Sequence, residues 1–263
     1  MLRQFAPLAV LLLALQVPQL ARAEAPAASA DDLVQRIESV LRGDTAVMKV
    51  SMQIETPRWK RTVSFRSWDD RHGSRSFIRI LAPRKDRGTG FLKKEQTLWT
   101  YLPRVERTTR LPPSMMLQSW MGSDFTNDDL VRESSLIDDY TARVLDEKDI
   151  DGTRAVGVEL LPREEAPVVW SRIEIWVDAE RLSPLLQLYF DEPEPGEFEL
   201  LRRMQFSDVR EVQGRPLPHK WVMHTLDKPG NETRFTIDEI EFDTKLDDSL
   251  FSLAHLKRAE AVR

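Results

Sequence analysis

The side chains that most often perform catalysis are few in this 263-residue chain, and they are not grouped. There is no cysteine, which removes a thiol nucleophile, a thiolate metal site and a disulfide framework together. The four histidines show no H-E-x-x-H metal motif. Two of them, His219 and His224, lie on one predicted strand at positions of opposite parity, so their side chains should point to opposite faces. The spacing argues against a zinc site.

Serine and carboxylate side chains also lack a catalytic arrangement. Ser123 follows a glycine, but the stretch has neither the second glycine nor the strand–turn–helix context of a nucleophile elbow, so we interpret Ser123 as a cap. Adjacent acid pairs such as Asp69-Asp70 fall at predicted turns, where capping and solvation are more usual than acid–base catalysis. We therefore predict that the protein is not an enzyme and uses no cofactor.

The most unusual stretch is LPPSMMLQSWMGSDFTNDDL, residues Leu111–Leu130, which we call the Met-rich segment. Ser114 can cap a short helix that ends at Gly122, and Thr126 with Asp129 can form a capping box for a second helix. The first helix would be apolar on nearly all sides, so it either fills one end of the fold as core or covers a cavity as a lid. Methionine is flexible and polarizable and suits adaptable binding surfaces, which favours the lid.

Basic residues are concentrated before the Met-rich segment: Arg84, Lys85, Arg87, Lys93, Lys94, Arg104, Arg107 and Arg110. In a chain of net charge −5 this local excess could meet phosphate headgroups or an acidic partner. Alternatively, these are solvated charges balanced by Asp86, Glu95 and Glu106. The overall negative charge argues against nucleic-acid binding, which requires a basic face to neutralise phosphates.

The elements that must position these residues are mostly strands. One amphipathic helix comes first, with apolar residues at helical spacing, Ser29 or Asp31 as its N-cap and Gly43 at its end. After it the apolar period changes to two, and roughly ten short runs follow, separated by turn signals such as Asp151-Gly152. This pattern predicts a mainly β protein, built as a curved antiparallel sheet or incomplete barrel. The Met-rich segment would cover its concave face.

The first 23 residues have the features of a secretory signal peptide, with a positive start, a short apolar run and the cleavage site Ala21-Arg22-Ala23. Its removal takes away Arg3 and Arg22 and changes the net charge from −5 to −7. We predict that residues 24–263 form a single domain. The apolar run is shorter than the roughly 20 residues of a membrane span, so we expect a soluble protein of the periplasm.

Four stretches carry a resemblance to a known family: TLWTYLP (Thr97–Pro103), SMMLQSWMGSDFTNDDL (Ser114–Leu130), IEIWVDAERLSPLLQLYFD (Ile173–Asp191) and LDDSLFSL (Leu246–Leu253). In this order and spacing, the chain resembles the LolA/LolB-like outer-membrane lipoprotein-sorting proteins, in a longer branch that has the Met-rich insertion. The resemblance covers most of the chain after the predicted signal peptide.

The resemblance implies a half-open β-barrel whose helical lid encloses an apolar cavity. It implies a soluble carrier, expected to be a monomer, that binds the acyl chains of lipids or lipoproteins and takes them toward the outer membrane. It also implies an inner-membrane transporter of the RND superfamily as a partner. Two alternatives stay open, namely a docking protein of such an exporter, which would use the Met-rich segment as a partner site, and a lipid hydrolase.

Alternation and the resemblance together select the candidate ligand-binding residues. The expected wall of the concave face consists of Trp59, Val63, Phe65, Phe91 and Trp99. The expected lid consists of Met115, Met116, Leu117, Trp120, Met121 and Phe125. In the family a strand arginine holds the lid shut, and Arg61 and Arg79 are the candidates here for contact with the lid or with a headgroup.

Overall fold

The computed structural model describes residues 29–258 except 132–135, 165 and 167. The predicted signal peptide lies outside the described residues. The described helices are α1 (Ala30–Leu41), α2 (Asn127–Val131), α3 (Leu136–Asp139) and α4 (Leu253–Leu256). None of these helices is long and apolar enough to cross a membrane.

The described residues form thirteen strands, more than the ten or so predicted. They are β1 (Thr45–Glu55), β2 (Lys60–Asp70), β3 (Arg75–Ala82), β4 (Gly90–Lys94), β5 (Thr97–Leu102), β6 (Arg107–Arg110), β7 (Tyr140–Ile150), β8 (Thr153–Pro162), β9 (Arg172–Asp178), β10 (Pro184–Glu194), β11 (Glu197–Val212), β12 (Arg215–Thr225) and β13 (Glu232–Phe242). All belong to one antiparallel sheet in the order β6-β5-β4-β3-β2-β1-β13-β12-β11-β10-β9-β8-β7. Because β6 and β7 lie at its two edges, the sheet is not closed into a barrel, and the predicted fold class is confirmed.

The sheet has a weak point between β12 and β13. Within the described chain these strands are joined by four residue pairs, Lys220–Met223 with Thr233–Thr236, although each strand has eleven residues. Pro216 and Pro218 lie in the unpaired part of β12, and proline has no N–H to donate to a ladder. From Arg215 to Pro218, β12 pairs with β11.

A side-chain clasp spans this split at its far end. The Gln213 amide oxygen accepts a hydrogen bond from the Phe242 N–H at 2.7 Å, and its nitrogen donates to the Phe242 carbonyl at 3.1 Å. Arg215 pairs with Asp243 at 2.8 Å and stacks over the Phe242 ring. The clasp replaces backbone pairs that the strands do not make.

Helix α1 covers one half of the concave face. Its Ser29 N-cap forms the predicted capping box with Asp32, and the helix ends at an extended Arg42 rather than at Gly43. Its apolar residues pack on strands β7, β8 and β9 in a cluster of Leu33, Val34, Ile37, Tyr140, Val158, Leu160, Ile173, Ile175 and Val177. Burying each such aliphatic side chain contributes about 1.5–3 kcal/mol, which fixes the helix on the sheet.

The Met-rich segment covers the other half, but its first part is not the predicted helix. It begins with a single 3-10 turn, Pro113–Met115. It then folds back on itself, because Met121 and Gly122 have positive φ angles of 54° and 81°, and the Trp120 N–H donates to the Phe125 carbonyl at 2.7 Å. The Ser123 hydroxyl donates to the Trp120 carbonyl at 2.7 Å and so competes with helical bonding.

Beside β2 to β5 the convex face is covered by residues 248–258, which we call the C-terminal residues. Phe251 and Leu256 pack with Trp68, Phe77, Leu92 and Tyr101. Both faces of this half of the sheet are therefore apolar and covered, which matters for assigning strand residues to the concave side.

Candidate functional site: an apolar cavity between the two covers

A cavity of about 390 Å³ remains on the concave face between α1 and the Met-rich segment. Its size falls within the range of roughly 300–1,000 Å³ that is usual for ligand pockets. Strand residues of the lining are mostly apolar and include Met48, Phe65, Ile78, Ile173, Ile175, Met204, Phe206, Trp221, Met223, Phe235, Ile237 and Ile240. The two covers close it without filling it.

Aromatic and methionine side chains form the central wall. Phe235 meets Phe125 of the Met-rich segment edge to face, with ring centroids 4.6 Å apart, and Phe65 at 6.1 Å. Met204 and Met223 lie opposite each other on β11 and β12. Methionine adapts its shape to varied apolar partners, so this wall suits flexible hydrocarbon.

Trp120 separates the cavity from the packed core under the Met-rich segment. Its side chain is 1% exposed and meets Phe65 and Phe91 edge to face at 5.4 and 5.6 Å. Its indole Nε1 is buried without a hydrogen-bond partner among the described residues. Trp120 thus acts as an apolar plug at one side of the cavity.

Glu38 ties α1 to the two elements beside it at the other side of the cavity. It is buried at 4% exposure, and one carboxylate oxygen accepts from Arg71 at 3.1 Å. The other oxygen accepts from the Leu136 N–H at 3.1 Å. A buried carboxylate requires such partners, so this corner of the lining is charged but internally paired.

The Met-rich segment is attached to the sheet by an ion pair on the cavity side. Arg202 of β11 donates to an Asp129 carboxylate oxygen at 2.9 Å. The same oxygen accepts from the Thr126 N–H at 2.7 Å and from its hydroxyl at 3.0 Å, and Thr126 accepts from the Asp129 N–H. The predicted Thr126–Asp129 capping box is present, and Arg202 connects it to the sheet.

A second attachment is fully buried. The Thr233 hydroxyl of β13 donates to the Asp124 carboxylate at 2.7 Å and accepts from the Asp124 N–H at 2.9 Å. Asp124 is 5% exposed and Thr233 is 0% exposed. Because leaving either polar group unpaired would be costly, this bond fixes the segment just beyond its reversal at Gly122.

Tyr189 supplies a neutral polar group to the cavity lining. Burial, with the nearby Asp129 carboxylate, raises the pKa of its phenol well above the ordinary value. The centroid of its ring lies 5.1 Å from that of Trp170. The Arg202 guanidinium lies over the same Trp170 ring, 4.9 Å from its centroid. The hydroxyl therefore stays protonated at every physiological pH.

The structure places the predicted binding residues in several different environments. Phe65, Trp120 and Phe125 line the cavity. Val63, Phe91, Met116 and Met121 belong to the adjoining packed core. Met115 and Leu117 are exposed, at 37% and 64%. Trp59 is 41% exposed, and a Cβ added to Gly122 would lie 3.4 Å from its ring, so Trp59 rests on the Met-rich segment from outside.

Trp99 and Arg79 lie on the convex face. Trp99 packs with the Phe251 and Leu256 cluster. Arg79 is 2% exposed, and its guanidinium donates to the carbonyls of Gly88, His255 and Leu256 at 2.6, 3.0 and 3.1 Å. Burial lowers the pKa of Arg79 to about 10. Arg79 thus attaches the C-terminal residues, through the His255 and Leu256 carbonyls, to the convex face of β3.

Arg61 pairs with Asp86 at 3.0 Å, in the turn between β3 and β4. Arg202, which was not among the predicted residues, forms an ion pair with Asp129 of the Met-rich segment. The available signal was alternation along β11. Arg202 precedes Met204 and Phe206 by two and four residues, so all three side chains point to the same face of the sheet. The apolar residues of β9 to β13 that line the cavity were not predicted either, since alternation marks both lining and core positions in the same way.

The remaining chemistry-bearing residues are dispersed. Among the described residues, no group of three or more histidine, aspartate or glutamate side chains could hold a metal ion. His219 is buried on β12 and its Nδ1 lies 3.1 Å from the Leu217 carbonyl, and His255 packs on Phe77 on the convex face. The expectation that the protein is not an enzyme remains a prediction.

A protein-family model described as "Uncharacterized protein" matches residues 72–258, which is more than half of the chain. The chain belongs to this family. No curated protein matches it in sequence. The family match includes the Met-rich segment and most of the strands that line the cavity.

Solved structures establish the wider relationship at the level of the fold. A domain assigned to outer membrane lipoprotein sorting from Vibrio parahaemolyticus is 21% identical, with a TM-score of 0.74 over 87% of this chain and 98% of its own. A DUF1329 family protein from Desulfovibrio piger is 22% identical, with a TM-score of 0.76 over 86% and 97%. A LolA superfamily protein from Nitrosomonas europaea is 19% identical, with a TM-score of 0.72 over 87% and 100%. The LolA-like fold implied by the sequence motifs is confirmed.

Proposed function

We propose that this protein is a periplasmic carrier that holds the acyl chains of a lipid or a lipidated protein in the concave cavity and takes them toward the outer membrane. The observation that carries the proposal is the apolar cavity between two separate covers. The fold shared with a lipoprotein-sorting domain and a LolA superfamily protein supports it.

Hydrocarbon is the ligand class that fits this lining. Each buried methylene contributes about 0.8 kcal/mol, so eight methylenes would gain on the order of 6 kcal/mol over water. Two carboxylates of the cavity lining, Glu38 and Asp129, already have cationic partners within the protein. They therefore do not demand a charged ligand.

Loading and release require one cover to move, and the Met-rich segment has the features of the movable one. It contains little regular structure, and its contacts to the far half of the sheet include the ion pair of Arg202 with Asp129. Helix α1 instead packs through a continuous apolar face. We infer that the Met-rich segment opens while α1 stays in place.

The experiment combines native mass spectrometry with titration of a fluorescent fatty acid into delipidated protein. We expect a bound lipid or acyl species in the purified protein and saturable binding of the probe. Met204→Trp places a larger side chain in the cavity wall and should weaken probe binding at least tenfold. The matched control is Leu188→Trp, which should bind normally, because Leu188 alternates with the cavity-lining Tyr189 on β10 and packs with Trp176 and Leu186 instead. Equal affinity in both variants would exclude the cavity as the binding site.

The exposure of Met115 and Leu117 favours a second candidate function, docking onto an RND-type exporter. The two candidates make opposite predictions in cells. A carrier should lose function with Met204→Trp, whereas a docking protein should keep function with Met204→Trp and lose it with Leu117→Asp.

A further inference from the structure

Three neighbouring hairpin turns lie at one end of the sheet. They are residues 56–59 between β1 and β2, residues 83–89 between β3 and β4, and residues 103–106 between β5 and β6, and we include the adjoining strand residues Lys60, Leu102 and Arg107. Because β1 to β6 are consecutive antiparallel neighbours, these three turns must lie side by side at the same end. We call this surface the basic end.

The basic end has a charge opposite to that of the whole chain. It contains seven basic residues, all exposed: Arg58, Lys60, Arg84, Lys85, Arg87, Arg104 and Arg107. It contains two acidic residues, one of which, Asp86, is paired with Arg61, and its Lys60 is paired with Glu55 at the end of β1. The chain as a whole has a net charge of −5. Since exposed charges are screened beyond about 10 Å at 0.1 M salt, the local positive charge decides what this surface attracts.

Apolar side chains protrude among these charges. Leu102 is 44% exposed and Val105, at the tip of its turn, is 64% exposed. Trp59 is 41% exposed on the neighbouring turn. Exposed aliphatic tips, a tryptophan and basic residues are the combination that places a surface at the headgroup level of a bilayer.

The positive charge is confined to one part of this end of the sheet. The turn between β10 and β11 lies at the same end of the sheet, but the strand residues that flank it, Glu192, Glu194, Glu197 and Glu199, are acidic. An anionic surface would attract the turns of β1 to β6 and repel this one.

We propose that the basic end docks on the surface of a bilayer that contains anionic phospholipid. The occupant follows from charge complementarity together with the apolar tips. The contact does not require a loaded cavity, so its failure and the failure of acyl-chain binding can be told apart.

The docking surface has a direct connection to the cover of the cavity. Trp59 belongs to the basic end, and its ring rests on Gly122 at the reversal of the Met-rich segment. Insertion of this ring among headgroups would remove it from Gly122. Docking and opening of the segment would thereby be coupled.

The test is co-sedimentation of the purified protein with vesicles of phosphatidylcholine alone or mixed with phosphatidylglycerol, at low and high salt. We expect binding to the mixed vesicles only, weakened by salt. Replacing Arg58, Arg84 and Arg104 together by Gln should weaken binding roughly 100-fold, since each basic side chain near an anionic surface contributes about a factor of five. Val105→Asp should also reduce it.

The matched control replaces Arg154, Arg181 and Arg210, three exposed arginines outside the basic end, by Gln. This variant has the same change in net charge and should bind like the wild type. No binding to mixed vesicles, equal binding to both vesicle types, or an equal loss in both triple variants would overturn the proposal.

Discussion

Trp120 is the single side chain on which the packing under the Met-rich segment most depends. Its ring contacts Phe65 and Phe91 and is excluded from solvent. We predict that Trp120→Ala lowers the free energy of unfolding by about 3–5 kcal/mol, the usual cost of a buried tryptophan. Leu117→Ala, an exposed control in the same segment, should change it by less than about 0.5 kcal/mol. Urea unfolding of both variants tests this, and similar losses would contradict the assignment of Trp120 as core.

Arg202 determines how firmly the Met-rich segment is held. We predict that Arg202→Met, which leaves Asp129 without its cation, lowers the local opening free energy of residues 126–129 by about 1.5–3 kcal/mol. Hydrogen exchange of these amides measures the effect. Arg203→Met is the control, because Arg203 is the exposed neighbour on the other face of β11. Faster exchange in both variants would point to a general loss of stability.

Single residues also show where alternation fails as a guide. Trp99 and Leu98 alternate on β5, and both faces of that strand are covered, one by the C-terminal residues and the other by the Met-rich core. The sequence of β5 therefore has apolar residues on both faces of the strand, and the sequence does not show which face is concave. Phe65 could be placed because its face continues through Val63 on the same strand, whereas Trp99 could not.

At the scale of elements, the C-terminal residues should respond to pH through His255. Burial, with the nearby Arg79 and Arg258 charges, lowers the pKa of His255 below its ordinary 6.5, while Asp247 acts in the opposite direction. The unfolded chain then binds the proton more tightly than the folded one, so stability present above pH 6.5 is lost as pH falls below it. We predict that His255→Phe reduces this loss in urea unfolding at a series of pH values. An unchanged pH profile would exclude His255 as its source.

The elements differ in how well the sequence predicts them. Helix α1 and its Ser29 capping box follow from helical spacing and a favourable cap. The Met-rich segment does not form its predicted first helix, because Ser119 and Ser123 bond to nearby carbonyls and the chain reverses at Gly122. Apolar composition indicated that this segment covers the sheet, but it could not indicate its backbone path.

For the whole molecule, period-two alternation was sufficient to predict a single curved antiparallel sheet. The cavity was not predictable in the same way, because inward apolar residues look alike whether a space is filled or left open. Only the separation between α1 and the Met-rich segment, which depends on the curvature of the full sheet, leaves room near Met204 and Phe235.

The narrow junction between β12 and β13 divides the sheet into two leaves. One leaf contains β13 and β1 to β6, the other contains β7 to β12, and the four pairs at Lys220–Met223 act as the spine between them. A change in the angle between the leaves would break no other ladder, but it would shift the packing of Leu217 on β12 against Ala46, Ile237 and Phe242. Such a change would alter the volume between the leaves. We predict that Gln213→Ala, which removes the clasp on Phe242, speeds hydrogen exchange at the Phe242 amide, whereas Gln205→Ala, on the adjoining strand β11, does not. Under the function proposed above, a change in the angle between the two leaves would let one cavity hold acyl cargo of several sizes.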